Sequence, residues 1–192
     1  KKVSTENGSN VARSELNKDG TEYNWVRFTN MRPNFTPFTI KKQISGAIKP
    51  DEEFIFDVTM TNSDANKDEH VTDGYIVRQG KSGYEPIAAT FTKQTGGEYK
   101  LTKLVINPGS TTDEGTLTQL KLKGNESVTF SVPEGTNTKI TEVNGQDYAT
   151  NWTYGQSKGG QGKKAEVNGI GVDCDKCAPL IFYNSSPSDD VK

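Results

Sequence analysis

Three polar side chains stand at positions that strand alternation turns toward a core. In Phe38-Thr-Ile40-Lys-Lys42-Gln-Ile44, Lys42 shares its face with Phe38, Ile40 and Ile44. Glu142 shares a face with Ile140, and Asn184 follows Leu180 and Phe182 at the same spacing. An unpaired buried charge is strongly disfavoured, so an inward Lys, an inward Glu and an inward Asn read as a set. Such residue types can exchange protons, and an amine under apolar burial has a lowered pKa and so becomes a nucleophile. The alternation leaves a second reading open. In it Lys42 snorkels to solvent, Glu142 pairs with a cation at a rim, and Asn184 caps a strand end.

Other chemistries find less support. The single histidine, His70, lies in the polar run 62–70 and is expected to be a solvated loop residue, with no nucleophile beside it. Cys174 and Cys177 form one CxxC, too few N/S ligands for structural zinc. Asp64-x-Asn66-x-Asp68 matches the opening of a calcium loop. Its sixth position is Glu69 where Gly is required, and its twelfth is Tyr75 where a bidentate Glu is required. No GxGxxG or GxxxxGK[ST] phosphate loop is present, and no cofactor or metal is expected.

The elements that would hold these residues are short alternating runs cut by Gly, Asn, Asp and Pro. Strands are expected at 23–29, 38–44, 53–61, 71–77, 87–92, 99–106, 117–122, 127–132, 136–143 and 179–183. No dozen-residue stretch holds a 3.6 period, so the expected class is all-β, a sandwich of the Greek-key kind. Two polar stretches, 62–73 and 151–168, the second containing Gly155, Gly159, Gly160 and Gly162, are expected to be surface loops. In the second, Trp152 and Tyr154 are candidate ligand contacts. Hydrophobic residues are 31% of the 192 and Gly adds 19 more, enough for one core. A net charge of −2 lacks the basic excess that phosphate binding needs, so no nucleic-acid partner is expected. No apolar run approaches the ~18–20 residues of a membrane span. Any export signal or anchor is expected outside this chain.

Longer blocks of sequence carry a resemblance. Phe38-Thr-Ile-Lys-Lys-Gln-Ile-Ser-Gly46 followed by Glu53-Phe-Ile-Phe-Asp-Val-Thr-Met60 resembles the opening of Cna B-type pilin isopeptide-linkage domains of Gram-positive surface proteins. Leu120-Lys-Leu-Lys-Gly-Asn-Glu-Ser-Val-Thr-Phe-Ser-Val-Pro-Glu-Gly135 followed by Ile140-Thr-Glu142 resembles their glycine, serine-valine, proline-x-glycine and threonine-glutamate block. Ile181-Phe-Tyr-Asn184 resembles their closing strand. The resemblance implies an immunoglobulin-like β-sandwich in which Lys42 and Asn184 form a spontaneous isopeptide bond assisted by Glu142. Only alternation chooses Lys42 over Lys41. Val26-Arg-Phe-Thr-Asn30 resembles a second closing strand, which makes Asn30 a rival acyl donor.

The implied chemistry is a single-turnover self-reaction and not enzymatic catalysis. A protonated Glu142 could stabilise the oxyanion on Asn184 and pass a proton to departing ammonia. Burial supplies effective molarity in place of reagent strength. The implied organisation is a flanking segment at 1–36, an isopeptide-linked domain at 37–186 and a tail at 187–192. The implied setting is extracellular and cell-wall attached, in a pilus or adhesin, with neighbouring domains of the same protein as partners. The alternative function is recognition of a host protein or glycan through the loops. An extracellular setting would also let Cys174 and Cys177 oxidise to a disulfide.

Overall fold

The computed structural model describes residues 2–3, 12–13, 35–61, 67–110, 115–145, 147–156, 158–172 and 178–186. The chain divides into two compact units, Lys1–Asn34 and Phe35–Lys192. In the first, β1 (Lys2–Val3) pairs antiparallel with β2 (Ala12–Arg13). The expected strand at 23–29 and Asn30 lie outside the described residues.

The second unit is all-β, with no helix among the described residues. Its strands are β3 (Phe35–Ser45), β4 (Phe54–Thr61), β5 (Glu69–Val77), β6 (Glu85–Lys93), β7 (Tyr99–Ile106), β8 (Thr116–Leu117) and β9 (Leu120–Leu122). They continue with β10 (Ser127–Pro133), β11 (Asn137–Glu142), β12 (Ala149–Tyr154), β13 (Lys158–Gln161), β14 (Lys164–Val167) and β15 (Leu180–Ser185). Hydrogen bonding runs in one path, β13-β12-β15-β3-β10-β5-β6-β7-β4-β11-β14, with β8 on β7 and β9 on β4. The path curls over itself into two facing layers, as the Phe56–Phe182 ring contact at 5.2 Å between β4 and β15 records. The result is an immunoglobulin-like sandwich.

Alternation builds the interior. In β4, Phe54, Phe56, Val58 and Met60 are buried while Ile55, Asp57 and Thr59 are only partly covered. The same period of two buries Phe38, Ile40 and Lys42 in β3, and Leu180, Phe182 and Asn184 in β15. A one-residue slip would turn each set to solvent, so the core fixes the register.

Several expectations are corrected. Residues 69–73 belong to β5, and 151–168 holds the end of β12 and all of β13 and β14. Glycine-rich polar sequence reads as a loop because Gly weakens strands. Here Gly160 is an edge position covered by Trp152, whose Nε1 would lie 2.9 Å from any Cβ at 160. An aromatic ring over a bare strand backbone supplies the packing that the glycine lacks. His70 is a β5 residue, half-buried and edge-on to Tyr99 at a centroid distance of 4.4 Å, and not a solvated loop histidine. The single run expected at 117–122 is two short strands with different partners.

Candidate functional site

Lys42, Glu142 and Asn184 come from three strands in two layers. β3 and β15 are parallel neighbours in one layer, and β11 lies in the other, paired with β4. All three side chains point into the space between, with exposures of 0%, 1% and 1%. Lys42 Nζ donates to Glu142 Oε2 at 2.7 Å. Asn184 Nδ2 donates to Glu142 Oε1 at 2.6 Å. One carboxylate therefore bridges the amine and the amide. Asn184 Oδ1 is buried and has no hydrogen-bond partner among the described residues. Lys41, one residue away, faces outward and is only half-buried.

The walls are apolar. Lys42 Nζ sits 4.1 Å from the Phe54 ring centroid and 6.0 Å from that of Phe56. Burial among these rings strips water from the ammonium and lowers the Lys42 pKa from 10.5 to about 8. The hydrogen bond and charge of Glu142 oppose that shift, and the positive charge of Lys163 adds to it. The amine is thereby brought within reach of the neutral, nucleophilic form near physiological pH.

The backbone around the site is held on every side. Lys42 N–H donates to Glu126 O at 2.9 Å, and Asn125 N–H donates to Lys42 O at 2.8 Å. Glu126 is itself buried, with Arg78 Nη1 donating to its Oε2 at 2.8 Å and Lys123 N–H at 2.9 Å. Beyond Glu142 the chain turns at Asn144-Gly145. Asn144 Oδ1 accepts from Ile55 N–H at 2.8 Å and its Nδ2 donates to Glu53 O at 2.7 Å. Lys163 Nζ donates to Asn144 O at 2.8 Å, while Glu142 N–H donates to Lys163 O at 2.9 Å.

Sequence reasoning did not single out Glu126, Asn144, Gly145 or Lys163. Of these, Asn-Gly is a legible turn signal. Glu126 and Lys163 owe their positions to long-range pairing that no local pattern reports. Tyr154 is a core residue, 3% exposed and packed on Phe38 at 6.4 Å, so its ring is not a surface platform. Trp152 is half-buried against the core and Gly160. Cys174, Cys177, Asp64 and Asn66 lie outside the described residues. Among the described residues no group of three or more His, Cys, Asp or Glu is arranged to hold a metal.

Comparisons with known proteins bear on the fold. The major pilin from Streptococcus pyogenes superposes with a TM-score of 0.57 at 17% identity, over 91% of this chain and 60% of that one. A variant of that pilin gives 0.56 at 16%, over 93% and 64%. The pilus-presented adhesin Cpa gives 0.47 at 16%, over 81% and 28%. The chain thus spans 60% and 64% of the length of these two pilin structures. No curated protein sequence matches it. A family model described as a domain of unknown function, DUF7601, matches residues 36–171, a span that includes Lys42 and Glu142 and ends before Asn184. With most of its length inside that match, the chain belongs to the DUF7601 family, built here on an immunoglobulin-like β-sandwich.

Proposed function

We propose that this chain is a structural module of a bacterial pilus or surface adhesin, of the Cna B type, locked by an isopeptide bond between Lys42 and Asn184. The observation that carries this reading is the shared carboxylate: Lys42 and Asn184 each donate to one oxygen of Glu142, at 2.7 and 2.6 Å, in an enclosed apolar site. A buried ion pair alone would contribute little stability over apolar packing of the same volume. The presence of an amide as third member gives the arrangement a chemical use.

The orphaned Asn184 Oδ1 supports the route. Turning the amide over brings Oδ1 to Glu142 Oε1 in place of Nδ2. That contact needs a hydrogen: Glu142 takes the Lys42 proton on Oε2 across the 2.7 Å bond, and rotation of the carboxyl presents the O–H to Asn184 Oδ1. The neutral amine then attacks Asn184 Cγ while the protonated carboxyl stabilises the oxyanion. The Nζ–Cγ bond forms, the Cγ–Nδ2 bond breaks, and Nδ2 leaves as ammonia with a proton carried by Glu142. Positioning of this kind is worth up to ~7–11 kcal/mol of barrier.

On this reading residues 37–186 form the linked module, with 1–36 flanking it and 187–192 as a tail. The module works at the cell surface, joined to neighbouring domains of its own protein, and turns over once. Intact mass tests it. The wild type should lie about 17 Da below the sequence mass, apart from any thiol oxidation, because ammonia is expelled. Lys42→Ala and Glu142→Gln should retain full mass, and Lys41→Ala should still lose ammonia. A wild type at full mass, or a tryptic map joining Lys41 to Asn184 or Lys42 to Asn30, overturns the assignment.

A further inference from the structure

We propose that Gly145 is a positioning residue for this cross-link: its missing side chain is the gap that lets Glu142 meet Asn184, and the clamped turn keeps that gap in place. The inference rests on the cross-linking reading above and concerns how the site is kept closed.

A Cβ built on Gly145 would lie 2.9 Å from Glu142 Oε1, 3.0 Å from Asn184 Nδ2 and 3.2 Å from Phe54 Cε1. The first two atoms are the partners of the 2.6 Å hydrogen bond. Any side chain at 145 therefore presses on the carboxylate and the amide at once, and both are fixed in buried strands. Gly145 also has φ +71°, a conformation that residues with a Cβ enter only at a cost. The turn has little freedom to retreat. Asn144 is tied to Ile55 N–H in β4 and to Glu53 O just before that strand, Lys163 holds Asn144 O, and Val143 N–H donates to Ile55 O at 2.9 Å. On the far side Tyr148 OH donates to Glu52 Oε2 at 2.7 Å, and its ring packs on Phe54 at 6.1 Å. The turn thus forms one wall of the site and holds the catalytic carboxyl against the acyl group. The cross-linking step needs no oxidant or co-reactant: one amine N–H bond and one amide C–N bond are exchanged for a new amide and ammonia.

The test follows ammonia loss by intact mass in freshly synthesised full-length chain. Gly97→Ala is the control, because Gly97 has φ +83° and open space where its Cβ would go, so it imposes the backbone cost without the clash. Gly145→Ala should cross-link on the order of ten- to a hundredfold more slowly than the wild type, as expected for sub-ångström to 1 Å misplacement of reacting groups. Gly97→Ala should keep pace with the wild type. The Gly145→Ala rate should keep the pH profile of the wild type, because the Lys42–Glu142 Oε2 bond is not among the contacts a Cβ at 145 meets. Equal slowing in both variants, or a Gly145→Ala variant at wild-type rate, overturns the proposal. Where Gly145→Ala does not fold, Asn144→Ala carries the test: it releases the clamp without adding a Cβ and should also slow the reaction, and a wild-type rate overturns the proposal. A wild type that keeps its ammonia removes the cross-linking reading itself, an outcome distinct from either failure of Gly145.

Discussion

Lys42 stands directly opposite Phe182 in the parallel β3–β15 pairing, and Asn184 stands opposite Ile44, one inward position further along. The two side chains therefore meet on a diagonal of the same face. Diagonal neighbours lie within reach of a long side chain. The offset leaves Phe182 to seal one end of the site, against Phe56. Because β3 begins the second unit and β15 ends its described strands, one covalent bond between them would join the opening of the sandwich to its close.

That topology sets how load would travel. A pull applied before Phe35 and after Ser186 runs along β3 to Lys42, crosses to Asn184 and leaves, without passing through the strands between. Single-molecule stretching of the wild-type module should show no unfolding step. Glu142→Gln, left unlinked, should release a step approaching roughly 500 Å of contour, the extended length of the chain between the two residues. A full-length unfolding step in cross-linked wild type would sink this account.

The bond should also govern thermal stability. Closing so long a loop removes unfolded-state entropy worth roughly 5 kcal/mol in the chain-entropy estimate. At ~2–4 °C per kcal/mol for a domain of this size, an Asn184→Ala variant should melt roughly 10–20 °C below the wild type. This variant keeps the Lys42–Glu142 pair, so Glu142 is not left buried without its partner. Melting within about 3 °C of the wild type would show that the cross-link contributes little.

Much of this arrangement was legible in the chain itself, and what was not has physical reasons. The run 99–106 coincides with β7, and the inward facing of Lys42, Glu142 and Asn184 follows from parity, because a period of two survives whatever the partners are. Strands β12 to β14 escaped the reading. Their pairing is justified by Trp152 over Gly160 and by Ala165 and Val167 in the core, contacts made between segments that look polar one at a time. Gly145 showed itself only as half of a turn signal. That it faces Glu142 and Asn184 depends on β4 capturing Asn144, a relation across some ninety residues of sequence.

The titration of Lys42 supplies the last prediction. In the unfolded chain Lys42 keeps its proton up to about 10.5, and in the folded, unlinked protein burial brings its pKa down to about 8. Between those values the unfolded state binds one more proton than the folded state, so stability rises with pH, by about 1.4 kcal/mol per unit. Below about pH 8 the cost of burying the ammonium is present in full. In cross-linked protein Nζ is an amide nitrogen and does not titrate. The stability gap between wild type and Asn184→Ala should therefore narrow steadily from pH 8 to 10.5. Groups common to both, such as Lys139 and Tyr148, whose pKa values are raised by Glu98 and Glu52, cancel in the difference. Denaturant unfolding of the two proteins across this range measures it. A gap that stays flat or widens would mean that Lys42 does not carry the buried charge assigned to it.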